Sequence, residues 1–366
     1  TGADQTGSYL PLLTGKKVAL VGNQTSVIKN THIVDSLLKM GVGIKKIFSP
    51  EHGFRGNQDA GKNVKSQKDK KTGLHIVSLY GKNFKPTAAD LADVDVVLFD
   101  IQDVGVRFYT YISTLHYVME ACAENKKPLI VLDRPNPNGY YVDGPVLRDE
   151  QKSFVGLHPV PIVYGMTIGE YANMINGEGW LANKQKCDLK VIPLTGYEHE
   201  DYYELPVKPS PNLPEMGAVY LYPSLCLFEG TYVSMGRGTD KPFQIFGYPE
   251  MPDGKDIFTP KSIKNVSENP PYLEKECKGF DVSSYGKQYI KHYKRIYLYW
   301  ILNTYKNAKD KESFFNSYFN QLAGNETLQQ QIKEYKTEDE IYQSWEPELV
   351  KFKLIRKKYL LYQDFE

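Results

Sequence analysis

Six short apolar runs, separated by helical patterns, dominate roughly the first 200 residues: Lys17–Val21, Ile44–Phe48, Ile76–Leu79, Val94–Phe99, Leu129–Leu132 and Leu189–Ile192. Helices are expected at Thr31–Met40, Thr110–Glu124 and Thr167–Ile175, the last opened by the boxlike Thr167-Ile-Gly-Glu170. Strands that alternate with helices build βαβ units and a mostly parallel, doubly wound sheet. VDVVLF and LIVL carry almost no polar alternation, as strands buried on both faces require. From about Pro206 to Pro271 the chain is rich in Pro and Gly, and beyond Gly286 it turns helical, at Gln288–Tyr305, Lys311–Leu322, Thr327–Lys333 and Pro347–Leu361. The expectation is a Rossmann-like α/β domain over 1–205 and a smaller α+β domain over 206–366.

A chain of 366 residues is long enough for two cores. Lys plus Arg number 45 and Asp plus Glu 44, a net charge of +1, which argues against an electrostatic nucleic-acid binder. With 41% hydrophobic and 24% charged residues the chain has the composition of a folded globular protein. No apolar run approaches the length of a membrane span. The basic stretch Lys351–Tyr362 reads as a helix packed on the core through its Leu/Tyr stripe. Cys122, Cys187, Cys226 and Cys277 are far apart, with neither a CxxC pair nor a Cys/His grouping, so zinc is not expected. The opening TGADQTGSYL has neither a charged n-region nor an apolar h-region and reads as a mature or trimmed terminus.

In an open parallel sheet, ligands bind beyond the carboxyl ends of the strands. Here those ends run into Gly22-Asn-Gln-Thr-Ser26, Ser49-Pro-Glu-His-Gly-Phe-Arg-Gly56, Asp100-Ile-Gln-Asp-Val-Gly-Val-Arg107 followed by Phe108-Tyr-Thr-Tyr111, and Asp133-Arg-Pro-Asn-Pro-Asn-Gly139. Four such ends predict one polar site. The first strand is not followed by GxGxxG, and GxxxxGK[ST], GxSxG and HExxH are missing, while Gly236-Arg-Gly-Thr-Asp240 follows no clear strand. Nicotinamide, P-loop and zincin chemistry are therefore not expected, and neither a cofactor nor a metal is called for.

What remains is rich in carboxylates: Glu51, Asp100, Asp103, Asp133, Glu229 and Asp240. Acetal hydrolysis needs a proton donor at the leaving oxygen and a second group that attacks or positions water. Glu51 leads as the acid, because it follows a buried strand, flanks His52 and lies between Pro50 and Gly53; a helix cap or a pair with Arg55 is the competing role. Asp103 with Arg107, and Asp133 with Arg134, are either local ion pairs or substrate clamps. His52 would tune the acid or touch substrate. Asn23, Tyr109, Asn136 and Asn212 are candidate sugar partners, and Arg107, Arg134 and Arg237 are the cations available for a substrate carboxylate.

Together, GNQTS, FSPEHGFRG, SLYG, FDIQDVGVRFYTY, LDRPNPNG, YGMTIGEYA, PSPNLP, LFEGTYVSMGRGTDKPF and the closing Ser344-Trp-Glu-Pro347 with IRKKYLLY resemble a bacterial family of exo-acting β-N-acetylmuramidases, long filed as a domain of unknown function. The resemblance covers nearly the whole chain from about residue 10. It implies release of N-acetylmuramic acid from non-reducing ends of peptidoglycan fragments, from N-acetylmuramyl-N-acetylglucosamine to muropeptides. It implies a Rossmann-like domain without a dinucleotide, an active cleft against the smaller domain, and a periplasmic or secreted location. The Glu of the family's SPEHG motif falls on Glu51, with Asp103, Asp133 and Glu229 as candidates for the second group. Retaining, inverting and substrate-assisted mechanisms stay open. The competing readings are another exo-hexosaminidase, a muropeptide-binding protein without turnover, and, more weakly, an amidase or esterase.

Overall fold

The computed structural model describes residues 1–51, 53–55, 67–81 and 83–366. Twelve strands are found among them: β1 (Lys17–Gly22), β2 (Val27–Ile28), β3 (Thr31–His32), β4 (Gly43–Ser49), β5 (Gln67–Lys68), β6 (His75–Ser78), β7 (Val96–Asp100), β8 (Leu129–Leu132), β9 (Leu189–Ile192), β10 (Ile245–Tyr248), β11 (Asp256–Phe258) and β12 (Cys277–Asp281). The central sheet runs β5-β6-β4-β1-β7-β8-β9, parallel throughout except for the edge strand β5. Leaving β5 aside, the chain winds outward from β1 in both directions, the doubly wound order that puts the reversal between β1 and β7. A second sheet, β10-β12-β11, is antiparallel and belongs to the smaller domain.

The apolar runs become strands because both faces of the sheet are covered. On β1, Val18 and Leu20 join one core with Leu98 of β7, Leu132 of β8 and the helical residues Val34 and Leu37. Ala19 and Val21 point the other way, into a core with Val97, Phe99 and Val131. That second core continues without a break into Leu221, Phe228, Phe246, Trp300 and Ile341 of the smaller domain. Shared burial of this kind holds the two domains as one packed unit.

Helix starts follow side-chain chemistry. Thr167 caps Ile168–Gly177, accepting from the Glu170 amide while the Glu170 carboxylate accepts from the Thr167 amide. The C-terminal half departs from expectation. The expected helix over Gln288–Tyr305 is broken into Ser283–Gln288, Ile290–Tyr293 and Tyr299–Asn307, with Lys294 in the left-handed region at φ 51°. Only Phe319–Ala323 of the Lys311–Leu322 stretch is helical. The last helix begins nine residues ahead of Pro347, at Glu338, under a Thr337/Glu340 capping box, and carries Pro347 inside it to Arg356.

Candidate active site

β4 ends at Ser49, and the Gly53 amide then donates to the Pro50 carbonyl (3.2 Å), a tight turn that presents Glu51 at its corner. Gly53 sits at φ 75°, where a side chain would strain the backbone. The half-buried Glu51 carboxylate accepts from the Thr110 hydroxyl (3.4 Å), just before the helix Tyr111–Glu124. Tyr80, beyond the end of β6, reaches the same carboxylate. Burial, then the charge of Glu51 and a hydrogen bond to it, push the Tyr80 hydroxyl upward, so Tyr80 stays a neutral donor.

Glu51 faces two connected spaces. One is a cleft of about 500 Å³ walled by Tyr80, Phe154, Glu229, Arg237, Glu268 and Tyr318. The other is a recess of about 60 Å³ bounded by Tyr109, Tyr111, Asn212, Leu213 and Phe243. Phe108, Thr110, Tyr222 and Arg237 border both. Phe154 stacks on Phe84 (centroids 4.1 Å) and meets Tyr80 edge-on (6.0 Å), giving the cleft an aromatic wall suited to the apolar face of a sugar. Across from it, Arg237 Nη2 pairs with Glu229 Oε1 at 2.5 Å and lies over the Phe243 ring at 5.0 Å. Burial opposes the Arg237 charge, but the Glu229 carboxylate more than offsets that and keeps the guanidinium ionised.

Of the residues singled out from sequence, Glu51, Tyr109, Asn212, Glu229 and Arg237 meet at these spaces. His52 lies outside the described residues. The others are corrections. Asp103 is sealed inside, accepting from the Gly105 amide (2.7 Å) and the Tyr164 hydroxyl. Asp133 holds the start of helix Ile168–Gly177 through the Gly169 amide (2.7 Å) on one oxygen and the Thr167 hydroxyl (2.8 Å) on the other, which also accepts from the Tyr362 hydroxyl. Burial, helped at Asp133 by the nearby Glu170 charge, pushes these carboxyls up to about 6 and about 7, but neither borders the cleft or the recess.

The arginines tell the same story. Arg134 makes a buried bidentate pair with Asp100 (2.6 and 2.9 Å), and Arg107 is wholly enclosed by backbone carbonyls. Asn136 donates to the Met166 carbonyl (2.8 Å) and accepts from the Asn138 amide (2.8 Å). Asn23 reaches the recess only through the Tyr111 hydroxyl (2.9 Å), and Asp240 is exposed away from both spaces. Sequence reading missed Tyr80, Phe154, Glu268 and Tyr318. SLYG contains Tyr80 directly after a strand, which was a usable signal; Glu268 sits in the Pro-rich stretch, where nothing in the spacing marks it.

Family models cover the chain almost end to end: one described as the N-terminal part of exo-β-N-acetylmuramidase NamZ matches residues 18–217, and its C-terminal counterpart matches 220–362. The chain belongs to the exo-β-N-acetylmuramidase family. It is 38% identical to the peptidoglycan β-N-acetylmuramidase NamZ of Bacillus subtilis, over 97% of this chain and 89% of that one. Two crystal structures of Bacteroides fragilis proteins filed under DUF1343 share the fold. One is 46% identical with a TM-score of 0.92, the other 29% identical with a TM-score of 0.80, and each comparison covers 99% of this chain and 98% of the other. This family member is a glycosidase, and its only strand-end carboxylate opening on the cleft, among the described residues, is Glu51.

The Glu51 turn is braced from behind. His32 Nε2 bonds the Asn23 carbonyl (2.9 Å), and its ring meets Phe54, the residue after Gly53, edge-on (4.6 Å). Phe54 in turn carries the Arg55 guanidinium (4.8 Å), which pairs with Asp69 (2.9 Å). Burial, and then the Arg55 charge, push the His32 imidazole down to about 4. Because its folded-state value lies below the ordinary 6.5, the unfolded chain takes the proton first, and stability is lost as pH falls from about 6.5 to about 4. The melting temperature of the wild type should therefore drop more steeply over that range than that of His32→Gln. Parallel slopes would remove His32 as the source.

Proposed function

We propose that the chain removes N-acetylmuramic acid from the non-reducing ends of peptidoglycan fragments, with Glu51 giving its proton to the leaving glycosidic oxygen. The observation that carries this is the position of Glu51, held by Thr110 where a sugar-sized cleft meets a smaller recess. Glu268 and Glu229 also line the cleft and are the two candidates for orienting water or the substrate.

Arg237 is the cation for the muramyl lactyl carboxylate. It borders the cleft and it is ionised. The other two arginines once in view, Arg107 and Arg134, are enclosed. Peptidoglycan lies outside the cytoplasmic membrane, and the proposed place of action is there; no described helix is long and apolar enough to cross a membrane.

The test uses a chromogenic β-N-acetylmuramide beside the matching N-acetylglucosaminide. Release from the muramide is expected to exceed release from the glucosaminide at least about 100-fold, and the reverse order would point to another exo-hexosaminidase. A charge-assisted hydrogen bond contributes about 1.5–3 kcal/mol. Arg237→Gln should therefore raise KM for the muramide about 10-fold or more and leave the glucosaminide nearly unchanged. An unaltered ratio between the two substrates would take Arg237 out of the pocket.

A further inference from the structure

The recess beside Glu51 is too small for a sugar ring. At about 15 Å³ for each water-sized group, its volume of about 60 Å³ accommodates about four. It can hold only a substituent of a ring seated in the cleft. Its walls are mixed: Glu51, Thr110, Ser210, Asn212 and Arg237 face it, Leu213 and Phe243, each 1% exposed, give it an apolar side, and Tyr222 and Phe108 flank it.

Two of the polar groups that edge it are already engaged with the protein. Tyr109 donates its hydroxyl to the Pro209 carbonyl (2.8 Å), and Tyr111 accepts from Asn23 (2.9 Å). Asn212 is different. Its Nδ2 donates to the Val266 carbonyl (3.0 Å), which fixes the amide orientation, since the flipped form would set oxygen against oxygen. Its Oδ1 is buried and has no donor among the described residues. An acceptor enclosed without a donor is costly, and a ligand N–H would relieve that cost.

We propose that this recess receives the 2-acetamido group of the terminal sugar, with Asn212 Oδ1 accepting from the amide N–H and the methyl against Leu213 and Phe243. The inference rests on the muramidase reading. Among the substituents of N-acetylmuramic acid, the acetamido group alone brings one N–H donor, one methyl and about four heavy atoms. The lactyl group is larger and anionic, and would set oxygen against Asn212 Oδ1. It belongs on the cleft side of Arg237, which borders both spaces. Recognition of the acyl group and recognition of the lactyl group thus fall to different residues.

The experiment compares chromogenic β-muramides whose 2-amino group carries acetyl or butyryl, with wild type, Leu213→Ala and Asn212→Ala. An extra methylene in a filled pocket changes selectivity about 10-fold or more. The wild type should prefer acetyl over butyryl at least about 100-fold in kcat/KM. Leu213→Ala should shift that ratio toward butyryl at least about 10-fold while the muramide-to-glucosaminide ratio stays fixed. Asn212→Ala should lower kcat/KM on the acetyl substrate about 10-fold and narrow the acyl preference.

An unchanged acyl ratio in both folded variants overturns the proposal, as does a change confined to the muramide-to-glucosaminide ratio, which would put the lactyl group in the recess. Calorimetric titration with free N-acetyl- and N-butyrylmuramic acid reads the recess without turnover. Discrimination in binding with no release of chromophore would retain the recess and remove the muramidase reading. Release of chromophore with no acyl discrimination would do the opposite.

Discussion

Glu51→Gln should lower kcat on N-acetylmuramyl-N-acetylglucosamine by about 10³-fold, with melting temperature and KM close to those of the wild type. Gln keeps the shape of the side chain and can still accept from the Thr110 hydroxyl, but it has no proton to give. Positioned general acids contribute about 10²–10⁴-fold, and a loss of 10³ corresponds to about 4 kcal/mol of transition-state stabilisation. The size of the loss should depend on the leaving group. A nitrophenolate leaves without help, so the same variant should lose far less on a nitrophenyl muramide than on the disaccharide. Equal losses on both substrates would make Glu51 a nucleophile or an orienting group. Full activity would pass the role to Glu268 or Glu229, the other carboxylates of the cleft.

Arg107→Ala should be the most destabilising of the arginine substitutions, by about 4 kcal/mol or more, and should leave substrate selectivity in any folded protein untouched. Arg107 is 0% exposed and donates to four carbonyls, those of Pro145 (2.8 Å), Val160 (2.7 Å), Leu322 (2.9 Å) and Ala323 (2.8 Å). It ties the loop that carries Thr110 to the smaller domain. Gly324 is part of the fit: a Cβ there would come within 2.4 Å of an Arg107 nitrogen. Burial pushes the guanidinium down to about 9, so it remains charged at neutral pH with carbonyl dipoles in place of a counter-ion. Removing it strips four buried acceptors of their donor and opens a cavity, two of the mechanisms behind the largest mutational effects. Urea unfolding midpoints of wild type, Arg107→Ala and Arg107→Lys give the measurement. Lys has three donors and should recover part of the loss. A raised KM at unchanged stability would return Arg107 to the substrate site.

Much of this was visible in the chain itself. All six apolar runs became strands of the central sheet, because a parallel strand covered on both faces has almost no freedom in its residue choice. The capping box at Thr167 marked a helix start because it uses local bonds. Where long-range packing decides, local pattern failed: Pro347 was read as a helix start, yet a helix already anchored by Tyr342 and Trp345 in the core carries it in its interior. The Gln288–Tyr305 pattern broke for a similar reason, as Ile296 and Leu298 turn into the core between two short helices.

For the site, sequence alone settled residue types and the strand-end logic: a carboxylate after β4, a polar edge, and none of the motifs of a nucleotide cradle. It put Glu51 first but kept carboxylates and arginines at the other strand ends as site candidates. The tertiary structure separated them. At the β7 and β8 ends, Asp100 and Arg134 bond each other, while the chain's own first residues and Tyr362 cover Asp133. Among the described residues, Glu51 beyond β4, Tyr80 beyond β6 and residues 108–111 after β7 open on the cleft and recess. A charged side chain at a strand end has the same local signature whether it meets substrate or a buried partner. Which of the two it meets depends on contacts tens to hundreds of residues away, and those exist only once the chain has folded.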